Sequence, residues 1–258
     1  MKVVLFAGGR GTRISEESLL RPKPMIEIGG MPILWHIMKI YARYGHTEFI
    51  VCLGYKGWMI KEYFLNYHLH NSDIRIDMTT PNNIEVLSNN AEPFKITLVD
   101  TGLDTMTAGR LKRVLPYVGN ERFMLTYGDG VSDINLDDLV KFHEKSGGVC
   151  TMTSIQATSR FGIINMNDEG VIDSFEEKPE NSGTWINGGF FVIEPSIADY
   201  LPENADTVMF EQHPLVSLAK DKTISAYKHH HFWKCMDTLR DKEEVEQLWL
   251  EGAPWKIW

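Results

Sequence analysis

The segment Lys2-Val3-Val4-Leu5-Phe6-Ala7 is a short apolar run with β-branched residues that stops at Gly8-Gly9-Arg10-Gly11. Such a run, bounded by glycines, predicts a buried strand that delivers the chain into a glycine turn. Backbone N–H groups in that turn can approach an anion where side chains would obstruct it. The dinucleotide-binding fingerprint is not met, because counting from Gly9 the third glycine falls at Ile14. A Walker loop is not met either, since no Gly-Lys-Ser/Thr closes the segment.

The segments beyond the turn set the fold class. Pro32 opens a stretch that closes before Gly45 and carries Ile33, Leu34, Ile37, Met38, Tyr41 and Tyr44 at helical spacing. Glu48 to Leu53 then predicts a strand, Trp58 to Tyr67 a helix, Ile96 to Val99 a strand, Met106 to Leu115 a helix and Phe123 to Tyr127 a strand. This alternation implies a Rossmann-like α/β fold, a mixed but mostly parallel sheet flanked by helices. After a helix from Leu136 to Lys145 the texture changes. Strands at Val149 to Ser154, Ile163 to Met166, Val171 to Phe175 and Trp185 to Ile193 are joined by short turns, which suggests a smaller antiparallel part. Thr238 with Asp241 three residues on predicts a capped helix through Leu250, and Pro254 to Trp258 a strand-like tail packed on the body. Leu69 to Phe94, polar and Asn-rich, is expected to protrude. The 258 residues are read as one domain, with a nucleotide-binding half to about residue 135 and a sugar-phosphate-binding half from about 136 to 258.

Lys plus Arg number 26 and Asp plus Glu 35, a formal charge of −9 that argues against general affinity for nucleic acid or anionic membrane. No apolar stretch is long enough to span a bilayer, and the start lacks a cleavage pattern. Cys52, Cys150 and Cys235 are odd in number and widely spaced, as expected of reduced thiols in a cytoplasm. Against this acidic background Arg10, Arg13, Arg21 and Lys23 cluster around the glycine turn, a local inversion suited to a polyphosphate. Pro22 and Pro24 restrict the backbone on either side of Lys23, so one ammonium is presented at a fixed point. His229-His230-His231 alternate faces on a strand and cannot all converge on one ion.

Leu5 to Arg13 followed by Pro22-Lys23-Pro24-Met25 resembles the signature of the sugar-nucleotide pyrophosphorylases, nucleotidylyltransferases that act on sugar 1-phosphates. Thr126 to Gly130, Phe161-Gly162-Ile163, Glu176 to Pro179, Asn187 to Phe191 and Met236-Asp237-Thr238 extend the likeness over nearly the whole chain. Ser15-Glu16-Glu17, Gly54 to Gly57, Val99 to Gly102, Thr107 to Val114 and Ala253 to Lys256 resemble the branch that uses CTP and glucose 1-phosphate. The hexapeptide repeat of bifunctional relatives is absent.

The resemblance implies attack by a sugar 1-phosphate oxygen on the α-phosphorus of the triphosphate, with pyrophosphate leaving. Two polyanions must meet, so cations, donors and a metal are needed rather than a covalent nucleophile. It implies that Arg13 and Lys23 are catalytic, and that Mg²⁺ is held by Asp129 and Asp237. Phe6, Ala7, Gly8, Gly9, Arg10, Gly11, Thr12, Arg13, Lys23, Thr101, Gly109, Arg110, Gly128 and Asp129 are expected around the nucleotide. Gly162, Glu177, Lys178, Asn187 and Gly188 are expected around the sugar phosphate. A homo-oligomer, with six copies as the family's pointer, and a part in making dideoxy sugars for bacterial surface polysaccharide are also implied. The same chemistry with UTP, dTTP or another hexose, and a non-catalytic sugar-nucleotide sensor, remain as alternatives. A glycosyltransferase would need an Asp-x-Asp motif that Gly128-Asp129-Gly130 does not supply.

Overall fold

The computed structural model describes residues 1–80, 83–156 and 184–258, with the backbone of the strands Ile163–Met166 and Ile172–Glu176. Seven strands form one sheet: β1 (Lys2–Phe6), β2 (Glu48–Leu53), β3 (Lys95–Asp100), β4 (Phe123–Tyr127), β5 (Cys150–Gln156), β6 (Trp185–Ile193) and β7 (Ile224–His229). Their order across the sheet is β7-β5-β6-β4-β1-β2-β3. β1 pairs in parallel with both β2 and β4, and β2 with β3. Only β6 runs against its neighbours, antiparallel to β4 and β5. Strands from both halves of the chain therefore share one sheet.

The pleat explains why the first strand is apolar throughout. Val3 and Leu5 face the layer built on α1 (Ile33–Arg43), and Val4 and Phe6 face the layer built on α3 (Thr107–Val118). α1 buries Ile33, Leu34, Ile37, Met38, Ile40 and Tyr41 on its inner face. The other helices of seven or more residues among the described residues are α2 (Gly57–His70), α4 (Leu136–Ser146), α5 (Pro214–Lys220) and α6 (Leu239–Leu250).

Several expectations need correction. The tail is not a strand: after α6 the chain turns, with Ala253 at φ 47°, and inserts Trp255 fully into the core. Its indole stacks on Phe232 and lies beside His36. The helix α5 and the edge strand β7, which pairs in parallel with β5, carry no clear period and were not expected. Within 69–94 the chain forms a two-stranded antiparallel hairpin, Ile74–Asp77 with Asn83–Val86, and all eight strand residues are exposed. No helix among the described residues is long and apolar enough to cross a membrane.

Candidate active site

The glycine turn leaves the carboxyl end of β1, where open α/β sheets bind ligands. Gly11 takes a left-handed φ of 63° that ordinary side chains resist. A Cβ on Gly8 would lie 2.1 Å from Arg110 Nη1, so only glycine fits above that guanidinium. Gly8, Gly9, Gly11 and Thr12 line a cleft of about 530 Å³ with Phe6, Ala7, Arg13 and Lys23. Across it stand Gly128 and Asp129 from the end of β4, Asn187 and Gly188 from β6, and Asp237 from the approach to α6. Gly162, Glu177 and Lys178 lie outside the described residues.

Lys23 is the hub. Its Nζ donates to Asp129 Oδ2 at 2.6 Å and to Asp237 Oδ1 at 2.5 Å. Arg13 pairs with the other oxygen of Asp237. Two mechanical features bring these distant acids together. The short strand Trp233–Cys235 pairs with Gly130–Ser132, and Met236 N donates to the Asp129 carbonyl at 2.9 Å. The predicted cap then fixes Asp237: Asp241 Oδ2 accepts from the N–H groups of Asp237 and Thr238, while Thr238 Oγ1 accepts from Asp241 N. Burial disfavours the Lys23 ammonium, but Asp129 and Asp237 outweigh it and raise its pKa above the ordinary lysine value. The Lys23 side chain is 12% exposed and that of Arg13 75%, so one cation is set into the site and the other stands at its mouth.

Asp129, Cys235 and Asp237 each bring one potential ligand atom within 4.8 Å of the others. Burial and the neighbouring carboxylates push the Cys235 thiol up, which keeps it protonated. The donor set is thus two carboxylate oxygens, the chemistry that suits a hard divalent cation shared with phosphate. His229, His230 and His231 do not join it: His229 is buried and hydrogen-bonded to Ser132, while the His230 ring packs on Trp185.

Arg110, Thr101 and Gly109 were expected around the nucleotide. Arg110 borders the cleft but is only 4% exposed, and its guanidinium donates to the carbonyls of Leu53 (3.0 Å), Gly102 (2.9 Å) and Gly8 (3.1 Å) and to Thr101 Oγ1 (2.7 Å). Thr101 is fully buried and its hydroxyl donates to Leu53 O. Gly109 faces Asp206, whose Cα would stand 2.6 Å from an added Cβ. Arg110 and Thr101 form a floor behind the glycine turn, whereas Gly109 packs on Asp206 and Arg10 stands in an exposed pair with Asp104 at 2.6 Å.

Sequence reasoning missed Tyr127, Glu211, Thr107 and Trp233. Tyr127 Oη donates to Glu211 Oε1 (2.6 Å) and accepts from Asn187 Nδ2 (3.0 Å). Trp233 Nε1 donates to the Gly188 carbonyl at 2.7 Å, which sets the peptide beside Asn187. Burial and the Glu211 carboxylate push the Tyr127 phenol above its ordinary range, so it stays protonated and donates. Tyr127 and Thr107 lay inside segments that carried the family resemblance, whereas Glu211 and Trp233 did not.

A mostly parallel sheet with a glycine turn at the carboxyl end of its first strand, facing a lysine held between two aspartates, defines a site for phosphate-ester transfer. The sequence profile described as nucleotidyl transferase matches residues 2–238, and the chain belongs to that family. It is 51% identical over 260 residues to the glucose-1-phosphate cytidylyltransferases of Salmonella typhimurium and Salmonella typhi, with the whole of each chain covered. Among solved structures, a UDP-glucose pyrophosphorylase complexed with UDP-glucose superposes with a TM-score of 0.69 over 97% of this chain and 98% of the other, at 18% identity.

Proposed function

We propose that the protein joins CTP and α-D-glucose 1-phosphate to give CDP-glucose and pyrophosphate. A phosphate oxygen of glucose 1-phosphate attacks the α-phosphorus of CTP. As that P–O bond forms, the bond to the β-phosphate oxygen breaks and its electron pair leaves on pyrophosphate. Lys23, held between Asp129 and Asp237 beside the glycine turn, is the observation that carries the reading.

Two polyanions cannot be brought together without compensating charge, and alignment is the second barrier. The turn at Gly8, Gly9, Gly11 and Thr12 offers backbone N–H groups to the triphosphate. Lys23 exchanges a carboxylate partner for phosphate oxygen, and Arg13 offsets charge on the departing pyrophosphate. Asp129 and Asp237 would hold Mg²⁺, which supplies Lewis-acid charge compensation at the phosphates. Asn187 and Gly188, with Glu177 and Lys178, serve the sugar phosphate. The 51% identity to the Salmonella enzymes favours cytosine and glucose over other bases and hexoses. The family resemblance extends the proposal to a cytoplasmic homo-oligomer, hexameric in the form it implies, acting in sugar-nucleotide supply for surface polysaccharide.

Pyrophosphate release measured with glucose 1-phosphate, Mg²⁺ and each of CTP, UTP, dTTP and ATP tests the reading. CTP is expected to give the highest kcat/KM. A preference for UTP or dTTP would overturn the cytidylyl assignment, and nucleotide binding without release in any arm would favour a sensor.

A further inference from the structure

Glu211 lies in a loop before α5 that no motif singles out, yet it reaches the cleft wall beside Tyr127 and Thr107. A carboxylate there is unfavourable to any phosphate that comes near, and among the described residues no lysine or arginine pairs with it. Its two oxygens are instead divided between two hydroxyl groups: Oε1 accepts from Tyr127 at 2.6 Å and Oε2 from Thr107 at 2.9 Å. Thr107 Oγ1 in turn accepts from Phe210 N at 2.7 Å, which fixes the direction of its hydrogen.

The effect carries one bond further. Because the Tyr127 hydrogen goes to Glu211, its oxygen can only accept from Asn187, and Nδ2 of Asn187 does donate to it. Oδ1 of Asn187 then accepts from Gly189 N at 2.8 Å. The amide is locked in one orientation, with one N–H and one lone pair left for a ligand. Glu211 retains lone pairs of its own. This wall therefore offers acceptors beside a single fixed donor, in the arrangement that hydroxyl groups match and phosphate does not.

We propose that Glu211 is a positioning residue: through Tyr127 it orients Asn187, and this wall takes the uncharged, hydroxyl-bearing part of the sugar 1-phosphate. The inference rests on the sugar-nucleotide-forming reading above and adds the residue that prepares the hexose contact. Thr107 joins the same carboxylate to the first turn of α3, the helix that carries Arg110. One side chain thus couples the floor of the nucleotide half to the hexose wall.

Steady-state kinetics and calorimetric binding of glucose 1-phosphate on the full chain test this with Glu211→Ala, Glu211→Gln and Tyr127→Phe. Glu211→Ala is expected to raise KM and Kd for glucose 1-phosphate about tenfold, the cost of an unset hydrogen bond, with KM for CTP changed less than about twofold. Glu211→Gln is expected to restore most of the loss, since its amide oxygen still accepts the tyrosine hydrogen. Glu211→Ala combined with Tyr127→Phe should be no worse than the poorer single variant, because both break the same chain. Equal rises in both KM values, unchanged affinity for glucose 1-phosphate, or a fall in thermal midpoint alone would overturn the proposal. Absence of pyrophosphate release from the unmodified protein would count against the function and leave the calorimetric arm to judge Glu211.

Discussion

The floor of the glycine turn and its rim both contain arginine, and they use it in opposite ways. On the floor, Arg110 is 4% exposed and held by four carbonyls and a hydroxyl. On the rim, Arg13 is 75% exposed and has one carboxylate partner. A guanidinium surrounded by backbone dipoles shapes the turn from beneath, and burial lowers its pKa. One with unused donors at the cleft mouth can change partners when an anion arrives. Floor variants should therefore alter stability first, and rim variants turnover first.

The cations that face the cleft, Lys23 inside it and Arg13 at its rim, give the largest expected effect. Lys23→Met removes the shared cation, and turnover should fall about 10³–10⁴-fold, or about 4–5 kcal/mol of barrier. A loss under tenfold in the pyrophosphate assay would break the contrast. The floor comes next. Arg110→Ala leaves a cavity under Gly8 and strips the Gly102 carbonyl of its partner, for about 2–4 kcal/mol of stability, so the thermal midpoint should drop on the order of 10 °C. Arg13→Ala sharpens the same comparison: about 10²-fold in turnover, with a thermal midpoint within about 2 °C of the parent.

A pH prediction concerns the core that seats the tail. His36 is fully buried; its Nε2–H donates to the Ile28 carbonyl at 2.8 Å and its Nδ1 accepts from Trp255. Burial chiefly, opposed by the backbone hydrogen bonds, lowers its pKa to about 4. Between pH 4 and 6.5 the unfolded chain then binds a proton here that the folded chain does not. Stability from this group is fully present above pH 6.5 and is lost as pH falls toward 4. His36→Gln should reduce the slope of unfolding free energy against pH by about one proton in that window, read from urea midpoints. An unchanged slope would show that the imidazole titrates freely. The smallest effect is at the cap: Thr238→Ala should cost about 1 kcal/mol, a shift of about 2–4 °C.

How far the sequence could be read follows the same division. β2 and β4 match their expected bounds end to end, because buried strands are apolar runs with abrupt ends, and β6 matches although its first three residues are not buried. β7 was missed because an edge strand with mixed exposure has no such run. The aromatic tail reads as a strand by composition, yet its role is set by a tertiary pocket around His36. Lys23 was legible because two prolines fix it beside the glycine turn, whereas Asp129 and Asp237 were singled out by the family resemblance. Arg110 was legible as a cation but not as one held by the backbone, since its partners are carbonyls, which every residue has. Glu211 gave no signal: its meaning lies in Tyr127 and Thr107, which only the folded chain brings near.

The proposed chemistry stands or falls on Lys23 and its two aspartates as the phosphate and metal centre. A crystal structure of the protein soaked with CTP and Mg²⁺ is the sharpest test. The triphosphate is expected against Gly8 to Thr12, the ion between Asp129 and Asp237, and Lys23 Nζ on a phosphate oxygen. A triphosphate bound elsewhere, or Lys23 still paired with both carboxylates in the loaded site, would contradict this assignment.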